Sequence, residues 1–204
     1  MQGHRLSIFA EMSMLAAETG AINLGQGFPD TDGPTEVLDA AVAAIRAGHN
    51  QYPPDRGIPE LRQAVAEHQD RFYGQEVDPD DVMVSTGASE AIGAAIMALV
   101  SEGQEVVVFE PYFDLYAAVI ALAGGVRRAV TLRAPDYSFD EAQLAAAIGP
   151  ETRLILLNTP HNPTGKVFSP EELGVIARLA VQHDLLVVTD EVYEHMTYDG
   201  TRHV

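Results

Sequence analysis

Three short strings carry residue types that can do chemistry, and each follows an apolar run of strand length. The first is Ser85-Thr86-Gly87-Ala88-Ser89-Glu90, which passes through a glycine turn into helix-like sequence. A helix start offers free N–H groups and the positive end of the helix dipole, a combination that suits a phosphate. The small residues Gly87, Ala88 and Ser89 let an anion approach the backbone, and Ser89 adds a hydroxyl. An ordinary turn capped by Ser89 or Thr86 explains the same string. The second string is Asn158-Thr159-Pro160-His161-Asn162-Pro163-Thr164-Gly165. Its two prolines and glycine make a rigid turn. Asn162 precedes Pro163 and is biased away from helical backbone, so its amide can be aimed into a crevice as a donor. His161 reads as a turn or surface histidine, because no second histidine stands at metal-ligand spacing. The third string, Thr189-Asp190-Glu191-Val192-Tyr193, closes the apolar run Leu185 to Thr189. A carboxylate there needs a partner, and a protonated pyridine-type nitrogen facing Asp190 would be one. Tyr193 would set its hydroxyl near the same ring. Helix capping by Asp190 and core packing of Tyr193 are the plainer alternative.

Two further segments join these. Glu110-Pro111-Tyr112-Phe113-Asp114 places aromatics after another apolar run, where a flat ring would stack. Leu24-Gly25-Gln26-Gly27-Phe28-Pro29 permits close backbone approach at Gly27. Core packing and a plain turn, respectively, are the alternatives.

The elements that must position these residues alternate. Helical spacing runs from Arg5 to Thr19 through Leu6, Phe9, Met12 and Leu15, and helices are expected over Thr35 to Ala47, with Thr35 a possible cap, and Glu60 to Tyr73. Beyond these, strands are expected at Val82 to Ser85, Glu105 to Phe109, Val126 to Leu132, Arg153 to Leu157 and Leu185 to Thr189. Helices follow at Ser89 to Val100, Phe113 to Ala123, Asp140 to Ile148 and Pro170 to His183. The LLVVT run reads as buried on both faces. Such alternation predicts an α/β fold with a mostly parallel sheet. Ligands in such sheets bind at the carboxyl ends of the strands, where all three strings fall.

Composition narrows the function classes. With 204 residues and 47% hydrophobic content, the chain can bury a real core. The net charge of −18 repels phosphate backbones and argues against nucleic acid as a partner. The longest apolar stretch, near Leu115 to Val126, is too short for a membrane span. There is no cysteine, which removes disulfides and thiolate chemistry and fits a cytoplasmic setting. Of the twelve basic residues eleven are arginine, and Lys166 is the single lysine.

Taken in order, NLGQGFPD, NQYPPDRG, TGASEA, EPYFD, NTPHNPTG and TDEVY resemble the class I/II aminotransferases, pyridoxal-phosphate (PLP) enzymes of fold type I. The branch that looks most similar holds kynurenine/glutamine and actinobacterial N-succinyldiaminopimelate aminotransferases. The resemblance implies that Ala88 and Ser89 hold the cofactor phosphate, that Phe113 stacks on its ring, and that Asn162 and Tyr193 bond its phenolic oxygen. It implies that Asp190 pairs with the ring nitrogen, that Gly27 and Asn162 receive substrate, and that Tyr52 reaches the neighbour's phosphate in a homodimer. Residues 1–48 would then be an arm and helices of a small domain, and residues 49–204 the front of the large PLP-binding domain.

In that family the lysine that holds the cofactor lies a few tens of residues beyond TDEVY. Lys166, after HNPTG, is not at that position and reads as a surface lysine. The 204 residues alone are therefore expected to be inactive as an aminotransferase, with exposed strand edges. Other readings are a PLP-dependent C–S lyase, which shares the cofactor cradle, and a non-catalytic remnant that binds PLP or a partner chain. A dinucleotide-binding domain is disfavoured, since no G-x-G-x-x-G follows the first strand.

Overall fold

A computed structural model describes residues 8–25, 27, 29 and 31–204. Arg5, Leu6, Gln26 and Phe28 lie outside the described residues. Four parallel strands form one sheet: β1 (Glu105–Glu110), β2 (Val126–Thr131), β3 (Thr152–Asn158) and β4 (Leu186–Asp190), in the order β2-β1-β3-β4. The helices are α1 (Ile8–Thr19), α2 (Thr35–Arg46), α3 (Pro59–Tyr73), α4 (Gly87–Leu99), α5 (Leu115–Leu122), α6 (Glu141–Ala147) and α7 (Pro170–Gln182).

The central strands are apolar on both faces because both faces are covered. Successive side chains of a strand point to opposite sides. Val106, Val108, Leu154 and Leu156 therefore pack with Ile92 and Ile96 of α4 and with Tyr116, Val119 and Ile120 of α5. Val107, Phe109, Ile155 and Leu157 pack with Leu144 of α6 and with Ile176 and Leu179 of α7. Burying each such aliphatic side chain stabilises the fold by about 1.5–3 kcal/mol before entropy is counted. By contrast α1 and α2 bury no residue. Their apolar faces, including Met12, Leu15, Val42 and Ile45, are exposed.

Three expectations need correction. Val82 to Ser85 is extended but joins no ladder, because no described strand lies beside it; Val84 N–H instead donates to the Arg56 carbonyl at 3.1 Å. The LLVVT run is an edge strand rather than a doubly buried one. Leu186 and Val187 are 37% and 41% exposed, since no described strand pairs on the outer side of β4. Thr35 is the first helical residue of α2 and makes no capping bond; Pro34 precedes it as the cap residue.

Candidate functional site

β3 and β4 pair with Asn158 opposite Asp190, so the polar residues that end two apolar strands sit side by side. Asn158 is 3% exposed. Its amide nitrogen donates to the Asp190 carbonyl at 2.8 Å and to the Pro160 carbonyl at 3.1 Å. Its oxygen accepts from the Asn162 N–H at 2.6 Å. One side chain thus fastens the Pro/Gly turn to the end of β4. The Asp190 carboxylate, also buried, accepts from the Tyr116 hydroxyl at 2.6 Å and from the Val192 N–H at 3.3 Å. Burial, then the bond to Asp190, pushes the Tyr116 hydroxyl far above its ordinary pKa, so it stays a donor. Neither Asn158 nor Tyr116 stood out in the sequence. The available signals were a lone tyrosine hydroxyl in the apolar stretch LYAAVIAL and the position of Asn158 as the last residue of its strand.

The start of α4 is built without a side-chain cap. Thr86 N–H donates to the Glu90 carboxylate, which holds that carboxyl below the usual range. Gly87 adopts φ +77°, where a side chain would be strained, and its N–H donates to the Ser85 carbonyl at 2.8 Å. The amides of Ala88 and Ser89 donate to nothing among the described residues. Capping by Ser89 or Thr86 is therefore not what this turn uses, and Ala88 and Ser89 of the helix start line a cavity.

That cavity, about 240 Å³, has Ala88 and Ser89 at its wall together with Phe113, Asn162, Asp190 and Tyr193. The ring of Phe113 meets that of Tyr116 edge-on at 5.9 Å and 86°. A larger cavity of about 640 Å³ shares Phe113, Asn162 and Tyr193 and adds Gly27 and Phe9. Structure thus gathers six of the expected cofactor residues at one cavity and places Gly27 at the next. Tyr52 is left out of both, its side chain wholly exposed.

Two residues differ from expectation. His161 is in the turn but buried, with Nδ1 2.8 Å from the Thr164 hydroxyl. Burial, with the Lys166 charge adding to it, pushes its pKa down. Lys166 is not a solvated surface lysine. Its side chain is 9% exposed, its ammonium lies 2.8 Å from Glu172 and 5.2 Å from the centre of the Phe168 ring, and it lines neither cavity.

Residues 19–204 match the model of the family "Aminotransferase class I and II". The chain belongs to that family. A probable N-succinyldiaminopimelate aminotransferase of Mycobacterium tuberculosis is 48% identical over 208 residues, covering 100% of this chain and 52% of the relative. The methionine aminotransferase of Escherichia coli is 42% identical, covering 97% and 51%. Among solved structures, the N-succinyldiaminopimelate aminotransferase of M. tuberculosis superposes with a TM-score of 0.94 at 49% identity, over 98% of this chain and 53% of that one. Thermus thermophilus aspartate aminotransferase with maleate gives 0.90 at 36%, over 98% and 54%. The chain spans about half the length of the relatives it matches. These neighbours are fold type I enzymes, and the parallel sheet with helices on both faces is the corresponding part of that fold.

Class I and II aminotransferases depend on pyridoxal phosphate. The smaller cavity fits that group by its lining: unbonded amide donors at a helix N-terminus, an aromatic side chain and a buried carboxylate acceptor steadied by a tyrosine hydroxyl. No described helix is long and apolar enough to cross a membrane.

Proposed function

We propose that this chain is the cofactor-cradling part of a PLP-dependent aminotransferase, which moves an amino group between an amino acid and a 2-oxo acid. The observation that carries this reading is the single cavity that has the uncapped start of α4 and the buried Asp190 in its wall, with Phe113 beside them. PLP, when bound, supplies the electron sink for the reaction. The chain's residues do the rest. Ala88 and Ser89 hold the phosphate through N–H groups and a hydroxyl. Asp190, held by Tyr116, keeps a proton at the pyridine nitrogen. Asn162 and Tyr193 donate to the phenolic oxygen. Gly27 offers its backbone to the substrate carboxylate from the larger cavity.

The same proposal includes a division near residue 48, with residues 1–48 in a small domain, and a cytoplasmic homodimer in which Tyr52 serves the neighbouring site. The full exposure of Tyr52 supports a role outside its own subunit. Lys166 is not the lysine that carries the cofactor, because Glu172 and Phe168 hold it away from the cavity.

The test is Asp190→Ala in the intact enzyme. Turnover should fall by about a hundredfold or more, the order seen when one electrostatic partner of a reacting group is removed. PLP affinity, measured by visible absorbance, should fall much less, because the phosphate contacts remain. A variant as active as the parent overturns the assignment. Product analysis separates the reaction classes: a keto acid supports transamination, whereas pyruvate with a thiol means C–S lysis. Borohydride reduction at stoichiometric PLP, followed by peptide mapping, should leave Lys166 unlabelled.

A further inference from the structure

α3 and the turn after β4 meet at three side chains that the cofactor cavity does not use. His68 comes from α3, and Glu194 and His195 come from the turn. His68 Nε2 lies 2.9 Å from His195 Nε2 and 3.6 Å from Glu194 Oε1, and His195 Nε2 lies 3.9 Å from that same oxygen. These separations define a point equidistant from all three atoms at about 2.0 Å, the length of a bond from Zn²⁺ to an imidazole nitrogen or a carboxylate oxygen. We propose that His68, Glu194 and His195 form a binding site for a divalent transition-metal ion of the zinc type.

The surroundings have the features of a built site. The second Glu194 oxygen accepts from the Tyr73 hydroxyl at 2.5 Å, which fixes the carboxylate and leaves Oε1 to the two imidazoles. The Gln69 amide lies 3.4 Å from His68 Nδ1. With that amide turned over, its oxygen accepts the Nδ1 proton and frees Nε2 for a metal, the usual second contact of a ligating histidine. Phe72 packs against both rings, at 4.6 Å and 4.8 Å, and limits their rotation. A hydrogen bond between two imidazoles accounts for the 2.9 Å contact alone. It does not require a carboxylate oxygen in the position that completes a coordination triangle. His68 and Glu194 also border a cavity of about 360 Å³ lined by Leu61, Ala64 and Val65, which leaves room for water in the fourth position. Two imidazoles and one carboxylate oxygen form a donor set for Zn²⁺, Ni²⁺ or Cu²⁺ rather than for Mg²⁺ or Ca²⁺. Because Glu194 directly follows Tyr193, the ion would pin α3 to the segment that carries a residue of the cofactor cavity.

The test is calorimetric titration of tag-free, chelator-treated intact protein with ZnCl₂, beside competition with a chromophoric chelator. One equivalent should bind, and a tenfold excess of Mg²⁺ should not displace it. His68→Ala, Glu194→Gln and His195→Ala should each weaken binding at least about tenfold, while His49→Ala should not. His195 is 54% exposed at its side chain, so His195→Ala keeps the test open should His68→Ala fail to fold, as judged by circular dichroism. Zinc-edge X-ray absorption should show two imidazole ligands. Absence of saturable uptake, or uptake unchanged in His195→Ala, overturns the proposal.

Discussion

Tyr116 brings a hydroxyl donor to Asp190 from 74 positions away in the chain, beside the donor that the nearby Val192 N–H supplies. Tyr116→Phe should lower stability by about 1.5–3 kcal/mol, the range for a hydrogen bond to a charged group. Urea unfolding of the variant measures it, and an unchanged midpoint would show that the hydroxyl contributes only packing. His161 sets a pH dependence of definite sign. Its folded pKa is depressed, so below about pH 6.5 the unfolded chain takes up a proton that the folded chain refuses. Its share of stability is complete above that pH and is lost as pH falls toward the folded value. Parent and His161→Gln unfolding free energies should run parallel above about pH 6.5 and diverge in this sense as pH falls below it; parallel curves throughout would contradict it. Asp190, Asn162 and Ser89 were legible because each interrupts an apolar or turn pattern with a group needing a partner. Asn158 and Tyr116 were not, because their partners are supplied only by strand register and helix packing.

Among the elements, α7 begins with a complete capping box. Ser169 Oγ accepts from Glu172 N–H at 3.2 Å, and Glu172 Oε2 accepts from Ser169 N–H at 2.9 Å. The other Glu172 oxygen holds Lys166. Ser169→Ala should cost about 1 kcal/mol. Glu172→Ala should cost about 3 kcal/mol or more, because it also strands a mostly buried ammonium. Adding Lys166→Met should recover much of the difference. Equal losses in the two single variants would mean that the ion pair is inert. Gly57 joins two other segments: it has φ +97°, and a Cβ there would lie 2.4 Å from Val84 Cγ2. Gly57→Ala is expected to destabilise by about 1–3 kcal/mol or more through backbone strain and overpacking, read as a fall in thermal midpoint. Periodicity placed helix ends within a residue or two of their observed positions, and β1 to β3 likewise. It misjudged Val82 to Ser85 and LLVVT because an apolar run declares a strand without declaring its neighbours.

At the scale of the whole molecule, a net charge of −18 opposes compaction. The exposed ion pair Arg178–Glu141 is worth only about 0–1 kcal/mol. Screening should therefore relieve more repulsion than it removes attraction, and the thermal midpoint should rise between about 0.05 and 0.5 M NaCl, where the Debye length shrinks severalfold. A fall with salt would show that the ion pairs dominate. The α/β class and the placing of polar residues at strand ends were readable because both follow from the alternation of periods along the chain. The exposure of β4 was not, since it depends on what lies beside the last strand. Asn158 leaves one further mark on the molecule. It grips Pro160, Asn162 and Asp190 by main-chain atoms alone. The clamp uses no side-chain atom of those positions, so a change of side chain at 162 leaves its three hydrogen bonds in place. At 190 the same freedom is bounded by Tyr116, whose buried hydroxyl needs an acceptor there.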